Sequence, residues 1–275
     1  MKYFSSFVLF VSCVVSLGAQ PVGAPLLPLN DLQPGMKGEV WTVFKGHDPE
    51  PFSVQVTGIL RNALGPGKSM ILCELTDPRV QSMGAVAGMS GSPLYIDGKL
   101  AGVLSYQIQH FETVRYAGFT PISDMLEVSA LPPGRDGLAP APIPVKGDRG
   151  ASRSAGTLPV QFSPLTPTFS VGGLSPDVAA LLEPRFQALG LSINGLGGND
   201  SGSDNPQSEV PNPKSLRPGD VVAVALAVGD ISLAGTGTVS YVDGSHILAF
   251  GHPMLRLGAT ELPMASSEIV APRRS

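Results

Sequence analysis

Between residues 36 and 128 short apolar runs alternate with turn signals: Val40-Trp41-Thr42-Val43-Phe44, Phe52 to Leu60, Ser69 to Leu75, Leu94-Tyr95-Ile96 and Leu100 to Tyr106. Runs of this length, rich in branched and aromatic residues, predict strands, so the block reads as all-β. Asp97-Gly98 between two such runs predicts a type I′ hairpin, because both central residues of that turn need positive φ. A second strand group comes much later: Val221 to Val228, Gly237 to Val242, an Asp243-Gly244 turn, and Ile247 to Phe250. Between the groups, Ser175-Pro176-Asp177 predicts a helix start, with Ser as cap, Pro in the first turn and an acid against the positive end of the dipole. That helix should reach about Leu189, close at Gly190, and kink or split at Pro184.

Two stretches rich in Pro, Gly, Ala and Ser, about 131–159 and 195–213, bury little and read as connectors. The chain therefore divides into a β domain at 30–128, a linker at 129–165, a short helical segment at 166–194, a flexible linker at 195–215 and a β segment at 216–275. Pro93 to Ala101 and Val239 to Ala249 echo each other, each running Tyr, branched residue, Asp-Gly, apolar strand. Two good hairpins would look alike anyway; the alternative is a pair of related β units facing each other across a cleft.

Residues 1–19 have the build of a secretory signal peptide: Lys2, an apolar run from Phe7 to Leu17, and small residues Gly18 and Ala19 at the exit. The mature chain is expected to begin at Gln20, in the periplasm, the cell envelope or outside the cell. The apolar run is shorter than the roughly 20 residues that span a bilayer, and no later segment qualifies. Removing the leader leaves Cys73 as the sole cysteine, which excludes an internal disulfide. Cys73 lies in an apolar run with no basic neighbour to lower its pKa, so it reads as a core side chain.

Composition narrows the field. Hydrophobic residues make up 43% of 275 against 15% charged, enough for a real core, and aromatics at 6% with 33 Gly favour β structure over a helical bundle. A net charge of −4 provides no electrostatic drive toward nucleic acid.

The chemistry concentrates in Gly88-Met89-Ser90-Gly91-Ser92-Pro93. A nucleophilic serine needs its hydroxyl on a tight bend with N–H groups converging where an oxyanion forms, and flanking glycines permit that bend. Ser90 is the candidate nucleophile, the N–H groups of Gly88 and Ser90 the candidate oxyanion donors, and Ser92 is read as structural. A base is then required from His47, His110, His246 and His252. His252 stands out in Leu248-Ala249-Phe250-Gly251-His252-Pro253, where glycine and proline force a turn at a strand end. Asp77 in Thr76-Asp77-Pro78 is the candidate acid to orient the imidazole. Taken singly, a Gly-Ser loop, a strand-end histidine and an Asp-Pro turn opener are all ordinary.

Taken together they resemble a known family. Thr76-Asp77-Pro78, Gly84 to Pro93 and Asp97-Gly98-Lys99-Leu100-Ala101-Gly102-Val103 are similar to the serine region of the stage IV sporulation protein B (SpoIVB) peptidases. Gly235 to Val239 followed by Ala249-Phe250-Gly251-His252 is similar to their histidine region. The resemblance implies a mainly β, chymotrypsin-like double β-barrel and a serine endopeptidase acting on protein or peptide without metal or organic cofactor. By motif position Ser90 matches the nucleophile, His252 the base and Asp77 the acid. Three departures accompany it: the serine region precedes the histidine region here, the Asp77 to Ser90 interval is a little short, and the chain ends soon after His252, so material that normally follows is expected to be missing. Two other readings stay open. One is a non-catalytic β module binding peptide or envelope material. The other is an inactive truncated homologue with an exposed apolar edge near Ile247 to Phe250.

Overall fold

The computed structural model describes residues 21, 23–85, 88–109, 114–130, 161–165, 168–188, 192–195, 215–254, 262–267 and 269. The first strand group closes on itself. Strands β1 (Lys37–Thr42), β2 (Glu50–Gly65), β3 (Lys68–Leu75), β4 (Pro93–Ile96), β5 (Lys99–Gln109) and β6 (Tyr116–Pro121) pair in the order β4-β1-β2-β3-β6-β5, and β5 returns to β4. Every one of these pairings is antiparallel, giving a closed six-stranded barrel. Alternate residues fill it: Phe52, Val54 and Val56 from β2 and Ile71, Cys73 and Leu75 from β3. Cys73 is wholly buried and burial pushes its thiol far above the ordinary range, in keeping with a packing role.

Helix α1 (Pro78–Met83) and helix α2 (Ile122–Ser129) are additions to the strand pattern. Ile122 and Met125 of α2 join Trp41, Tyr95, Leu100 and Val103 in a second apolar cluster on the barrel. Strand β7 (Gln161–Pro164) extends the sheet beyond β5, so the last residues of the expected 129–165 linker are strand. The bulk of that linker, most of the 195–215 linker and the whole 1–19 leader lie outside the described residues.

The second group comprises β8 (Thr168–Gly172), β9 (Ser192–Gly195), β10 (Val221–Ala227), β11 (Ser232–Asp243), β12 (His246–Ala249) and β13 (Met264–Ser266), in the order β13-β10-β11-β8-β9 with β12 on β11. Helix α3 (Pro176–Ala188) begins where the cap motif places it, the Val178 N–H donating to Ser175 Oγ at 3.4 Å. It continues through Pro184 rather than splitting there. β8 and β9 are parallel, which requires a crossover, and α3 supplies it. The 166–194 segment is thus part of the second sheet, and Phe186 of α3 packs on Phe169, Val171 and Ile193. The protein is mainly β as expected, with one closed barrel. Among the described residues the second group is an open sheet, whose outer strands β9 and β13, four and three residues long, do not meet.

The two echoing stretches form the β4–β5 and β11–β12 hairpins. Each has a register irregularity just before its tyrosine, and the cross-strand pairs Tyr95↔Leu100 and Tyr241↔Leu248 correspond. Tyr241 and Leu248 pack against the cluster containing Tyr95 and Leu100, so the hairpins face each other. Their turns differ. Asp97 and Gly98 both take positive φ, 50° and 73°, as a type I′ loop demands. In the second hairpin Asp243 pairs with His246, making Gly244-Ser245 the loop, one residue on from expectation. A glycine at φ 59° in the first central position is what a II′ turn uses.

Candidate active site

Ser90 lies on the loop between α1 and β4. Gly88 (φ 93°) and Gly91 (φ 96°) on either side of it occupy the left-handed region. A Cβ on Gly91 would sit 2.6 Å from the Phe250 nitrogen, so only glycine lets the two loops approach so closely. Ser92 closes the turn, its Oγ donating to the Met89 carbonyl at 2.7 Å, and is structural. Among the described residues no hydrogen bond takes up the Gly88 or Ser90 N–H.

Strand β11 of the second sheet runs along this loop. The Thr238 N–H donates to the Ser90 carbonyl at 2.8 Å, Thr238 Oγ1 to the Gly88 carbonyl at 3.0 Å, and Ser240 Oγ to the Gly91 carbonyl at 2.8 Å. The loop's carbonyls are thereby drawn toward β11, while of its N–H groups Gly91 donates to the Leu104 carbonyl at 2.8 Å and Ser92 to the Met89 carbonyl at 3.0 Å.

The histidine comes from the turn that ends β12. The Gly251 N–H bonds back to the Ala249 carbonyl at 2.9 Å across Phe250, whose φ is 69°. This is a γ-turn of the rare positive-φ kind, strained for a residue with a Cβ. The Phe250 ring packs on Gly237, where any side chain would displace it. Ser90 Oγ donates to the Phe250 carbonyl, and Ser105 Oγ from β5 and Thr120 Oγ1 from β6 reach the Gly251 carbonyl at 3.1 and 2.9 Å. His252 is half-buried, with Nδ1 3.1 Å from the Pro253 carbonyl. A carbonyl only accepts, so in this contact Nδ1 carries the proton; in the neutral ring Nε2 then holds the lone pair, the arrangement a general base needs.

The structure therefore brings the Ser90 loop and the His252 turn into contact. Asp77 has other partners. It caps α1, with Oδ1 accepting from the Arg79 N–H at 2.8 Å and from Arg79 Nε at 3.1 Å, while Oδ2 accepts from Nη2 at 2.9 Å. The guanidinium beside it holds the Asp77 carboxyl below its ordinary range. Arg79 also bonds Glu50 and the Pro51 carbonyl and lies over the Phe44 ring. His47 and His246 are exposed, and His110 lies outside the described residues. Among those residues no group of three or more His, Cys, Asp or Glu converges as a metal set, and no helix is long and apolar enough to cross a membrane.

Sequence reasoning passed over Ser105, Thr120 and Thr238. The available signal was a lone hydroxyl at a position whose strand neighbours are apolar, as Ser105 is after Val103-Leu104. No curated protein and no solved structure matches the chain. Residues 27–125, which hold the barrel and its serine loop, match the family model described as SpoIVB peptidase S55, so this part of the chain is similar to the SpoIVB-like serine peptidase family.

Proposed function

We propose that this chain is an exported serine endopeptidase in which His252 takes the Ser90 proton as Ser90 Oγ attacks a peptide carbonyl, and the Gly88 and Ser90 N–H groups stabilise the tetrahedral oxyanion. The observation that carries this reading is the contact, across 160 positions of sequence, between the Ser90 hydroxyl and the turn that presents His252. In the resting state that hydroxyl rests on the Phe250 carbonyl; rotation about χ1 is the step that would hand it to the imidazole, and catalytic hydrogen bonds commonly tighten only when substrate binds. Protonation of the leaving amine by the same imidazole and attack of water on the acyl-enzyme would complete the cycle. Asp77 is the candidate orienting acid by motif position, and its carboxylate is engaged by Arg79. With Nδ1 already held by the Pro253 carbonyl, the Ser90–His252 pair does not need it.

The test is labelling of the purified mature chain by a fluorophosphonate, with casein cleavage alongside. Wild type should label at Ser90 and cleave casein, and Ser90→Ala should do neither. Equal labelling of both proteins would remove Ser90 from the mechanism. Export through residues 1–19 is checked by the N-terminus of the secreted chain, expected at Gln20.

One observation favours the non-catalytic β module: Ser90 is only 2% exposed and its hydroxyl is satisfied by a carbonyl. Absence of labelling in a folded wild-type protein would select that reading.

A further inference from the structure

Three hydroxyls of the barrel hold two successive carbonyls of the histidine turn. Ser90 takes the Phe250 carbonyl, and Ser105 and Thr120 take the Gly251 carbonyl. Ser105 and Thr120 are themselves 2.9 Å apart, Ser105 fully buried and Thr120 nearly so. The fit is close: a Cβ on Gly251 would lie 2.8 Å from Val103 Cγ2. Hydroxyls buried in an apolar barrel wall cost free energy unless bonded. Ser105 Oγ has two acceptors, the Val103 carbonyl of its own strand at 2.9 Å and the Gly251 carbonyl, while Thr120 Oγ1 reaches Ser105 Oγ and the Gly251 carbonyl.

We infer that Ser105 and Thr120 are positioning residues for His252. The argument rests on the reading of Ser90 and His252 as the reacting pair. When Ser90 turns to give its proton to the imidazole, the Phe250 carbonyl loses its donor. The turn, strained at Phe250, then keeps its place through the Gly251 carbonyl, one peptide from the His252 ring. The barrel thus orients a base carried by the other sheet, a task that an acidic partner performs in a triad. Neither hydroxyl touches substrate. Their contribution is geometric, and misplacing a catalytic group by about 1 Å costs on the order of a hundredfold in rate.

Each of two substitutions, Thr120→Val and Ser105→Ala, removes one of the two hydroxyls with little change in volume, and Thr120→Ser restores the one at 120. In the full mature chain the fluorophosphonate labelling rate of Ser90 should fall between about tenfold and a hundredfold in Thr120→Val, with a displaced pH profile, and Thr120→Ser should recover most of it. The second readout does not depend on activity: the ¹⁵N resonances of the His252 ring should titrate with a midpoint shifted from wild type in both variants. Labelling and His252 titration unchanged in folded Thr120→Val and Ser105→Ala would overturn the inference and leave the peptidase reading intact. If wild type itself does not label at Ser90, the peptidase reading fails, and the ring titration still decides whether these hydroxyls set His252. Should Thr120→Val not fold, Ser105→Ala carries the same comparison.

Discussion

At the scale of single residues, Asp77 shows how one side chain can match a motif and still be claimed by its surroundings. Asp-Pro after a strand is both an acid in a serine-peptidase pattern and a helix cap, and the next residue but one decides which contacts form: Arg79 lies on the carboxylate. Asp77→Ala should lower stability by about 1 kcal/mol, the ordinary cost of losing a cap, measured by denaturant unfolding at neutral pH. The Arg79 guanidinium holds the native carboxyl below the ordinary aspartate range, so the charged form's contribution is complete above that range. It is lost as pH falls through the depressed native pKa, and the gap between wild type and Asp77→Ala should narrow there. Ser90 labelling should stay within a few-fold of wild type in Asp77→Ala; a loss of roughly ten-thousandfold would instead identify Asp77 as the triad acid. Ser90 and His252 were legible as candidates because glycines and a proline bracket them. Ser105 and Thr120 were not, because a hydroxyl in an apolar run signals only that something will satisfy it.

Among elements, the loop before β4 and the turn after β12 are shaped by glycines with distinct duties. Gly98 takes φ 73° with open space around it, so Gly98→Ala meets only the conformational cost, about 1 kcal/mol. Gly91 combines φ 96° with the close approach to Phe250 and Thr238, so Gly91→Ala should cost more, about 2 kcal/mol or above, and loosen the contact between the sheets. Thermal unfolding of the two variants side by side checks the order; equal losses would mean that the approach to β11 contributes nothing. The alternation of β2 and β3 and the helix start at Ser175 were readable from local pattern. The Gly244-Ser245 loop was misplaced by one residue because Asp-Gly and Gly-Ser are both good turn centres, and cross-strand register selects between them.

Across the whole molecule, the barrel and the second sheet are joined by the β11 hydrogen bonds to the serine loop and by Tyr241 and Leu248 on the Tyr95 cluster. Replacing both Tyr241 and Leu248 by Ala should raise amide exchange in β10 to β12 by at least tenfold while β2 and β3 stay protected. Uniform protection in that variant would show that the apolar contact does not couple the units. What the sequence by itself determined is local: the strand-forming alternation, the turn chemistry, the helix cap, and two glycine-bracketed segments carrying a serine and a histidine. These depend on φ preferences and side-chain periodicity within a few residues, which any stretch of chain carries with it. Tertiary structure alone decided that one strand group closes as a barrel while the described part of the other is an open sheet, that α3 is the crossover of a parallel pair, that Arg79 occupies Asp77, and that Ser105 and Thr120 grip the turn bearing His252. Each of these pairs groups far apart in sequence, or a group with one of several available partners, and that choice is made by packing the whole chain at once.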